Sequence, residues 1–179
     1  MKNIDFLRTP DIRNAILVMR AQLGSGADGI ALMRQGIDAL LHMQSLAIVP
    51  TLMANLAAAQ LGAGAISDAL ETVEQALNIN PEEGIGRPEA LRIRGKLRLK
   101  QGQPELAESD FREAIALAQK MGAKAWELRT TMSLARLLDR HGRRDEARTT
   151  LAEIHNWFTE GFDMPDLKDA KALLDKLAT

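Results

Sequence analysis

Apolar residues recur along most of the chain at spacings of three and four, the period of an amphipathic α-helix. Polar segments that contain glycine or proline interrupt this pattern and are typical of turns between helices. Residues that favour helices, such as Ala, Leu, Glu and Arg, dominate the apolar segments, whereas Val and Ile are sparse. We therefore expect helices at residues 10–23, 28–43, 47–61, 66–78, 87–101, 104–121, 124–140, 144–158 and 165–177.

An internal repeat organises these helices. Four segments each contain an apolar stretch, a glycine, a few polar residues and a small residue that opens a second helix. The aligned glycines lie 40, 38 and 40 residues apart, and the later positions follow in step. The aligned sets are Gly24, Gly64, Gly102 and Gly142, then Gly29, Ala69, Ala107 and Ala147, then Met33, Val73, Phe111 and Leu151.

The repeat predicts an all-α fold in which glycine turns join antiparallel helix pairs. One pair cannot bury its apolar faces alone, so neighbouring pairs stack into a solenoid. The last helix, with one apolar and one charged face, is expected to cap the array. The predicted parts are an extension at 1–9, units at about 10–46, 47–86, 87–123 and 124–160, and the capping helix at 165–177.

The stretch LRIRGKLRLK, residues 91–100, departs from the helical pattern because apolar and basic residues alternate. Alternation is typical of a half-buried strand. A lone strand would leave its backbone groups unpaired, and the segments at the same repeat position, LMANLAAAQ and TMSLARLLD, do not alternate. We therefore interpret this stretch as a helix and its alternation as an accident of charge placement.

Residues at the turn and packing positions resemble the tetratricopeptide (TPR) repeat family from about residue 10 to 158. The matching positions are Leu56, Ala57, Gly64, Ala69, Val73, Ala76 and Pro81 in the second unit, Leu91, Gly95, Gly102, Ala107, Phe111 and Ala114 in the third, and Leu134, Ala135, Leu138, Gly142, Ala147 and Leu151 in the fourth. The first unit matches poorly, and the spacings exceed the family's usual period of about 34 residues. The resemblance implies a TPR-like α-solenoid that binds proteins.

The C-terminal segment, residues 123–177, is similar to the end of the repeat region in large bacterial signalling proteins. The ordered pattern WELR, SLARLL, GR..EAR and WFTEGFD.PDLK carries this resemblance. Such proteins combine an ATPase domain with a nucleotide-cyclase or winged-helix domain. No G-x-x-x-x-G-K-[ST] motif occurs in this sequence, so the resemblance implies an accessory, regulatory module and not catalysis.

Composition narrows the function classes. A net charge of −1 and an aromatic content of 3% argue against nucleic-acid binding, because neither a global basic field nor many stacking platforms are present. The absence of cysteine excludes disulfides and thiolate metal sites. No apolar run could span a bilayer and the N-terminus lacks a signal-peptide pattern, so we expect a cytoplasmic protein without membrane partners.

Several short motifs resemble cofactor, metal or catalytic sites, but they lack the neighbouring elements or residues that such sites require. The G-x-G-x-x-G match at residues 24–29 lacks a preceding strand and is interpreted as a helix–helix turn. His42, His141 and His155 have no metal-ligand spacing, and no nucleophile, base and orienting group come together. We therefore predict no catalytic residues, no metal and no cofactor. Trp126 and Trp157 are expected to pack between helices, and Met19, Met33, Met53 and Met132 to fill the core.

Basic residues on the first helix of successive pairs form the one candidate binding site. In TPR-like arrays this helix lines the concave groove, and small residues near Asn55 would leave room there for a ligand. We hypothesise a basic groove that accepts an acidic peptide or carboxylate. Its predicted residues are Asn55, Arg92, Lys96, Lys100, Arg129, Arg136 and Arg140. The alternative is a solvated face whose charges pair with Glu89, Glu127 or Asp139.

These observations favour a non-catalytic scaffold that binds a protein segment in a bacterial signalling system. The alternative function is a small-molecule sensor for an acidic metabolite, in a transcription regulator or cyclase. Self-association is left open, because the first unit departs from the repeat pattern and would expose an apolar edge. Arg94 and Arg98 face away from the groove, where they would meet solvent or acids such as Glu108 and Asp110.

Overall fold

The computed structural model describes residues 27–42, 48–79 and 86–179, and in these ranges the regular structure is entirely helical. The helices are α1 (Ala27–His42), α2 (Val49–Gly62), α3 (Ile66–Asn78), α4 (Arg87–Lys100), α5 (Pro104–Lys120), α6 (Lys124–Arg140), α7 (Arg144–His155) and α8 (Pro165–Ala178). Each agrees with a predicted helix to within three residues at both ends. The helix predicted at residues 10–23, with Met19 and Gly24, lies outside the described residues.

The repeat glycines end helices in the same way. Gly64, Gly102 and Gly142 have φ values of +80°, +73° and +75°, in the left-handed region that glycine enters without steric cost. In each turn the N–H of the residue after glycine donates to a carbonyl five residues earlier, at 2.9 Å. This bond is the Schellman motif that closes helix C-termini. A fourth copy at Gly122, φ +67°, joins α5 to α6 and was not singled out by the repeat.

The small and large apolar residues that follow each glycine are buried, as expected for packing positions of the repeat. Ala69, Ala107 and Ala147 are fully buried. The larger partners Val73, Phe111 and Leu151 are also fully buried. Met33, Met53 and Met132 lie in the core, so their predicted role as core residues is confirmed.

Internal packing divides the chain into two compact units, residues 1–97 and 98–179. In the described part of the first unit, α2 packs against both α1 and α3. In the second unit, α6 is the central helix and packs against α5, α7 and α8. The predicted division into four repeat units plus a cap is a finer one and stays a prediction.

The last helix, α8, buries its predicted apolar face: Leu167, Ala170, Leu173 and Leu177 join the core of the second unit. Two ion pairs fix its direction relative to α6. Arg129 Nε donates to Asp166 at 2.6 Å, near the start of both helices, and Lys176 Nζ donates to Asp139 at 3.1 Å, near their ends. The helices therefore run side by side in the same direction, and α8 takes the place that the first helix of another pair would occupy.

Among the described helices, none has the length and apolar character that crossing a membrane requires.

Candidate interaction surface

One narrow strip of α6 faces solvent, and it is basic. Arg129, Arg136 and Arg140 are exposed, while ten residues of the helix are buried against its neighbours. Spacings of seven and eleven residues are close to whole numbers of helical turns, so the three guanidinium groups form a line about 16 Å long. We call these three residues the α6 strip. The structure therefore brings together the three arginines that the sequence assigned to this helix.

In the described part of the chain, two of the three arginines have no partner. Arg136 and Arg140 make no hydrogen bond or ion pair with any residue in the described ranges, whereas Arg129 is paired with Asp166. The acids proposed in the alternative interpretation are engaged elsewhere. Glu127 accepts from Lys124 Nζ at 2.8 Å, and Asp139 accepts from Arg144 and Lys176, both at 3.1 Å. Ion pairing among the described residues therefore does not neutralise the guanidinium groups of Arg136 and Arg140.

The predicted residues of α4 have a different environment. Arg92 donates to both carboxylate oxygens of Glu89, at 2.8 and 2.5 Å, and its side chain is only 12% exposed. At Arg92 the alternative interpretation, pairing with Glu89, agrees with the structure. Lys96 is half-buried and has interactions within the fold, whereas Lys100, at the helix end, is exposed.

Asn55 on α2 is half-buried, with Ala54 fully buried beside it. With Arg92 and Lys96 it belongs to the first unit, while Lys100 and the α6 strip belong to the second. The single groove formed by all seven residues remains a prediction.

Arg94 and Arg98, on the other side of α4, reach acids on neighbouring helices. Arg98 Nη1 lies 2.9 Å from Asp110, whose side chain is 2% exposed, as one of the sequence alternatives anticipated. Arg94 Nη1 lies 3.3 Å from Glu74 on α3, a partner that the sequence analysis did not name. The alternation in this segment is therefore not accidental: apolar residues are buried and the intervening arginines are half-buried against carboxylates.

A second set of charges links α5 to α7 through a closed ring of ion pairs. Arg112 and Arg143 each bind both Glu108 and Glu146, at distances of 2.7 to 2.8 Å. Burial acts to raise the pKa of Glu108, but hydrogen bonds from Arg112 and Arg143 outweigh it and hold that pKa below its ordinary value of 4.5. The hydrogen bond from Arg112 likewise lowers the pKa of Glu146. This ring holds two helices together and leaves no charge of its own for a partner.

One sequence prediction about packing was wrong. Trp157 is 56% exposed and does not lie between helices. The sequence analysis extended α7 to residue 158, whereas the helix ends at His155, so Trp157 projects from the following turn. Its ring meets Phe158 edge-on at 5.1 Å, and Lys124 Nζ lies 5.4 Å from its centre. Trp126 is half-buried.

The histidines occupy structural positions. His141 caps the end of α6 beside Gly142, and His42 Nδ1 lies 2.7 Å from the carbonyl of Asp38. His155 is half-buried near the end of α7, and its Nε2 is discussed below. No cluster of three His, Asp or Glu side chains that could hold a metal occurs in the described part of the chain. Gly29, the last glycine of the G-x-G-x-x-G match, lies inside α1; the residues before Ala27 are outside the described ranges.

Comparison with known proteins agrees with this architecture. No family model matches the chain, and no curated protein matches its sequence. Two solved structures are similar, both of a putative kinesin light chain from Podosopora anserina with nearly identical TPR-like repeats, one carrying a single substitution. Each is 17% identical, and the match covers 99% of this chain and 87% of that chain, with TM-scores of 0.63 and 0.62. This chain has a TPR-like repeat fold.

At this level of identity the likeness establishes the fold alone, and it confirms the predicted class, an all-α TPR-like solenoid. The resemblance of residues 123–177 to bacterial signalling proteins stays a prediction. Sequence reasoning assigned the candidate arginines to α4 and α6, and their role as a binding site stays a prediction. It could not separate the paired ones on α4 from the unpaired ones on α6, because their partners come from other helices.

Proposed function

We propose that the chain is a non-catalytic protein-interaction module whose α6 strip binds an acidic or extended segment of a partner protein. The single observation that carries this proposal is the exposure of Arg136 and Arg140 without an ion pair in the described part of the chain. TPR-like repeats generally serve as scaffolds for protein partners, which favours the same function class. Asn55, Arg92, Lys96 and Lys100 are proposed as secondary contacts, each within its own unit.

The physical basis of this binding is that a carboxylate of the partner replaces the water around an exposed guanidinium group. An exposed guanidinium that has no internal partner keeps its five donors available and can receive a carboxylate through two parallel hydrogen bonds. A line about 16 Å long would contact four or five residues of an extended peptide at about 3.3 Å each. The basic strip would also steer an acidic segment during encounter, an effect that salt weakens.

Fluorescence anisotropy with a labelled decapeptide of Asp and Leu tests this function, with Lys in place of Asp in the comparison peptide. We expect wild-type protein to bind the acidic peptide only, and the double variant Arg136→Gln, Arg140→Gln to bind it roughly tenfold more weakly, equivalent to about 1.4 kcal/mol. The matched control is Lys120→Gln with Arg148→Gln, which removes two exposed cations that also lack an ion pair in the described ranges. Equal affinity of the two double variants would contradict the proposal.

We also propose that the module regulates an ATPase, a nucleotide cyclase or a winged-helix transcription regulator. The ordered C-terminal pattern, from Trp126 to Lys171, supports this finer assignment. Immunoprecipitation of the chain from its source cells, followed by mass spectrometry, should enrich one of these classes with wild type and not with Arg136→Gln, Arg140→Gln. Enrichment of other protein classes alone would contradict it.

A further inference from the structure

A groove at the C-terminal end of the second unit is separate from the α6 strip. It lies between the end of α7, the following loop and α8, and has a volume of about 520 Å³, which falls in the range of small-molecule sites. Its lining residues are His155, Phe162, Leu167, Lys168, Lys171 and Asp175, with Ala172 beside them. We call it the α7–α8 groove.

One buried atom of a lining residue, His155, lacks a hydrogen-bond partner in the described part of the chain. His155 Nε2 has no contact with solvent and no hydrogen-bond partner in the described part of the chain. Buried polar side-chain atoms in folded proteins almost always have a partner, either protein or water, so this imidazole nitrogen is available to hydrogen-bond a ligand. The neighbour that the structure places against this ring is Phe162, tilted by 45° with ring centres 5.9 Å apart.

Phe162 is 50% exposed and belongs to the segment between α7 and α8, which has no regular secondary structure. Turning its ring toward solvent would join the imidazole nitrogen to the groove. The apolar surface of Leu167 and Ala172 would then continue directly to a hydrogen-bonding group.

The charged residues that line the groove determine which ligand charge it favours. Lys171 pairs with Asp175 on the same helix, whereas Lys168 has no ion pair with any described residue. Two ammonium groups therefore face one carboxylate, and the uncompensated charge is positive. An apolar wall with one surplus cation and one imidazole nitrogen fits an anion with an apolar body.

We propose that the α7–α8 groove binds a small monocarboxylic acid with an apolar body. The apolar part lies against Phe162, Leu167 and Ala172, and the carboxylate is held by Lys168 and by a hydrogen bond from His155 Nε2–H. This site shares no residue with the α6 strip, so it neither requires nor excludes the interaction function proposed above.

Isothermal titration of the full chain with sodium octanoate tests this site, with 1-octanol as the uncharged match. Three variants locate it. Ala172→Trp fills the groove from an exposed helix position, Lys168→Gln removes the unpaired cation, and Lys120→Gln removes an exposed lysine on α5 as the control. We expect octanoate to bind wild type and Lys120→Gln equally, Lys168→Gln at least fivefold more weakly, and Ala172→Trp not detectably. The affinity of 1-octanol for wild type should be no higher than the affinity of octanoate for Lys168→Gln.

Two results would overturn the proposal. One is the absence of octanoate binding to wild type, and the other is equal binding by wild type and Ala172→Trp. Sedimentation of the same samples tests whether a second copy of the chain occupies the groove instead. If wild type self-associates, Ala172→Trp abolishes this association and octanoate does not bind, then the groove is a contact between copies. Retention of octanoate binding by Arg136→Gln, Arg140→Gln would show that the groove acts independently of the α6 strip.

Discussion

In the predicted repeat, helices α4 and α6 have the same position in successive helix pairs, and both carry several basic residues, yet the structure uses these residues differently. On α4, Arg92, Arg94 and Arg98 are half-buried, and each contacts a carboxylate of the same chain. On α6, Arg136 and Arg140 are exposed and contact none in the described ranges. Arginines thus hold the fold together on α4, whereas two arginines on α6 keep their charge available to a partner.

The difference follows from what lies beside each helix. A guanidinium that leaves water on folding loses hydration, and a nearby carboxylate offsets that loss, as it does for Arg92, Arg94 and Arg98. The α6 strip keeps its water and needs no partner to be stable. Such a group can exchange hydration for a ligand carboxylate at little cost to the fold.

The largest expected effect comes from breaking an α4 ion pair. Arg98→Met should lower the free energy of unfolding by about 3 kcal/mol, because Asp110, 2% exposed, would lose its cationic partner while remaining buried. Urea denaturation followed by circular dichroism measures the change.

The matched substitution Arg136→Met on α6 should change the free energy of unfolding by less than about 0.5 kcal/mol, as expected for an exposed site without a partner. If the two substitutions destabilise the protein equally, the distinction between the helices is wrong.

A smaller change in stability tests whether the glycine turns that follow α4 and α6 are equivalent, although the two helices differ. Gly102→Ala and Gly142→Ala should each cost about 1 kcal/mol, because an alanine is strained at φ values of +73° and +75° while its Cβ would meet no other atom. Gly62→Ala, inside the last turn of α2, is the control and should stabilise the protein by up to about 1 kcal/mol. Unequal losses at Gly102 and Gly142 would show that the repeats differ in their turns as well.

The smallest effect concerns the α5–α7 ring, where the arginines are paired but exposed. Because the folded pKa of Glu108 lies below 4.5, its ionised form stabilises the fold above that pH, and this contribution is lost as the pH falls through the lowered pKa. Glu108→Gln should therefore cost less than about 1 kcal/mol at pH 7, and the difference from wild type should shrink below pH 4.5.

Thermal unfolding at pH 7 and at pH 3 measures this difference, with Glu153→Gln as an exposed control on α7. A Glu108→Gln deficit that stays constant with pH would mean that the carboxylate charge does not hold the ring together.

Local sequence signals sufficed for most of the fold. Glycine turns, the buried alanines and the apolar face of α8 each depend on a few neighbouring residues, so spacing alone located them. Trp157 shows the limit of that reasoning, because a three-residue error in the end of α7 changed a packing residue into an exposed one.

The candidate site was less predictable because ion pairing depends on which helices meet. Arg94 reaches Glu74, twenty residues earlier in the chain, and Asp139 is taken by Lys176, thirty-seven residues later. No local pattern contains these partners. The sequence therefore identified the basic residues of both helices without showing which of them remain available for a partner.

The most direct test of the central claim is an NMR titration of the arginine Nε–Hε signals with the acidic decapeptide. Single Arg→Lys variants assign the signals. The signals of Arg136 and Arg140 should shift in proportion to the bound fraction, while those of Arg94 and Arg98, which pair with Glu74 and Asp110, should stay in place. Shifts of Arg94 and Arg98 equal to those of Arg136 and Arg140, or no shift at Arg136 and Arg140, would contradict the separation of cohesive arginines from the α6 strip.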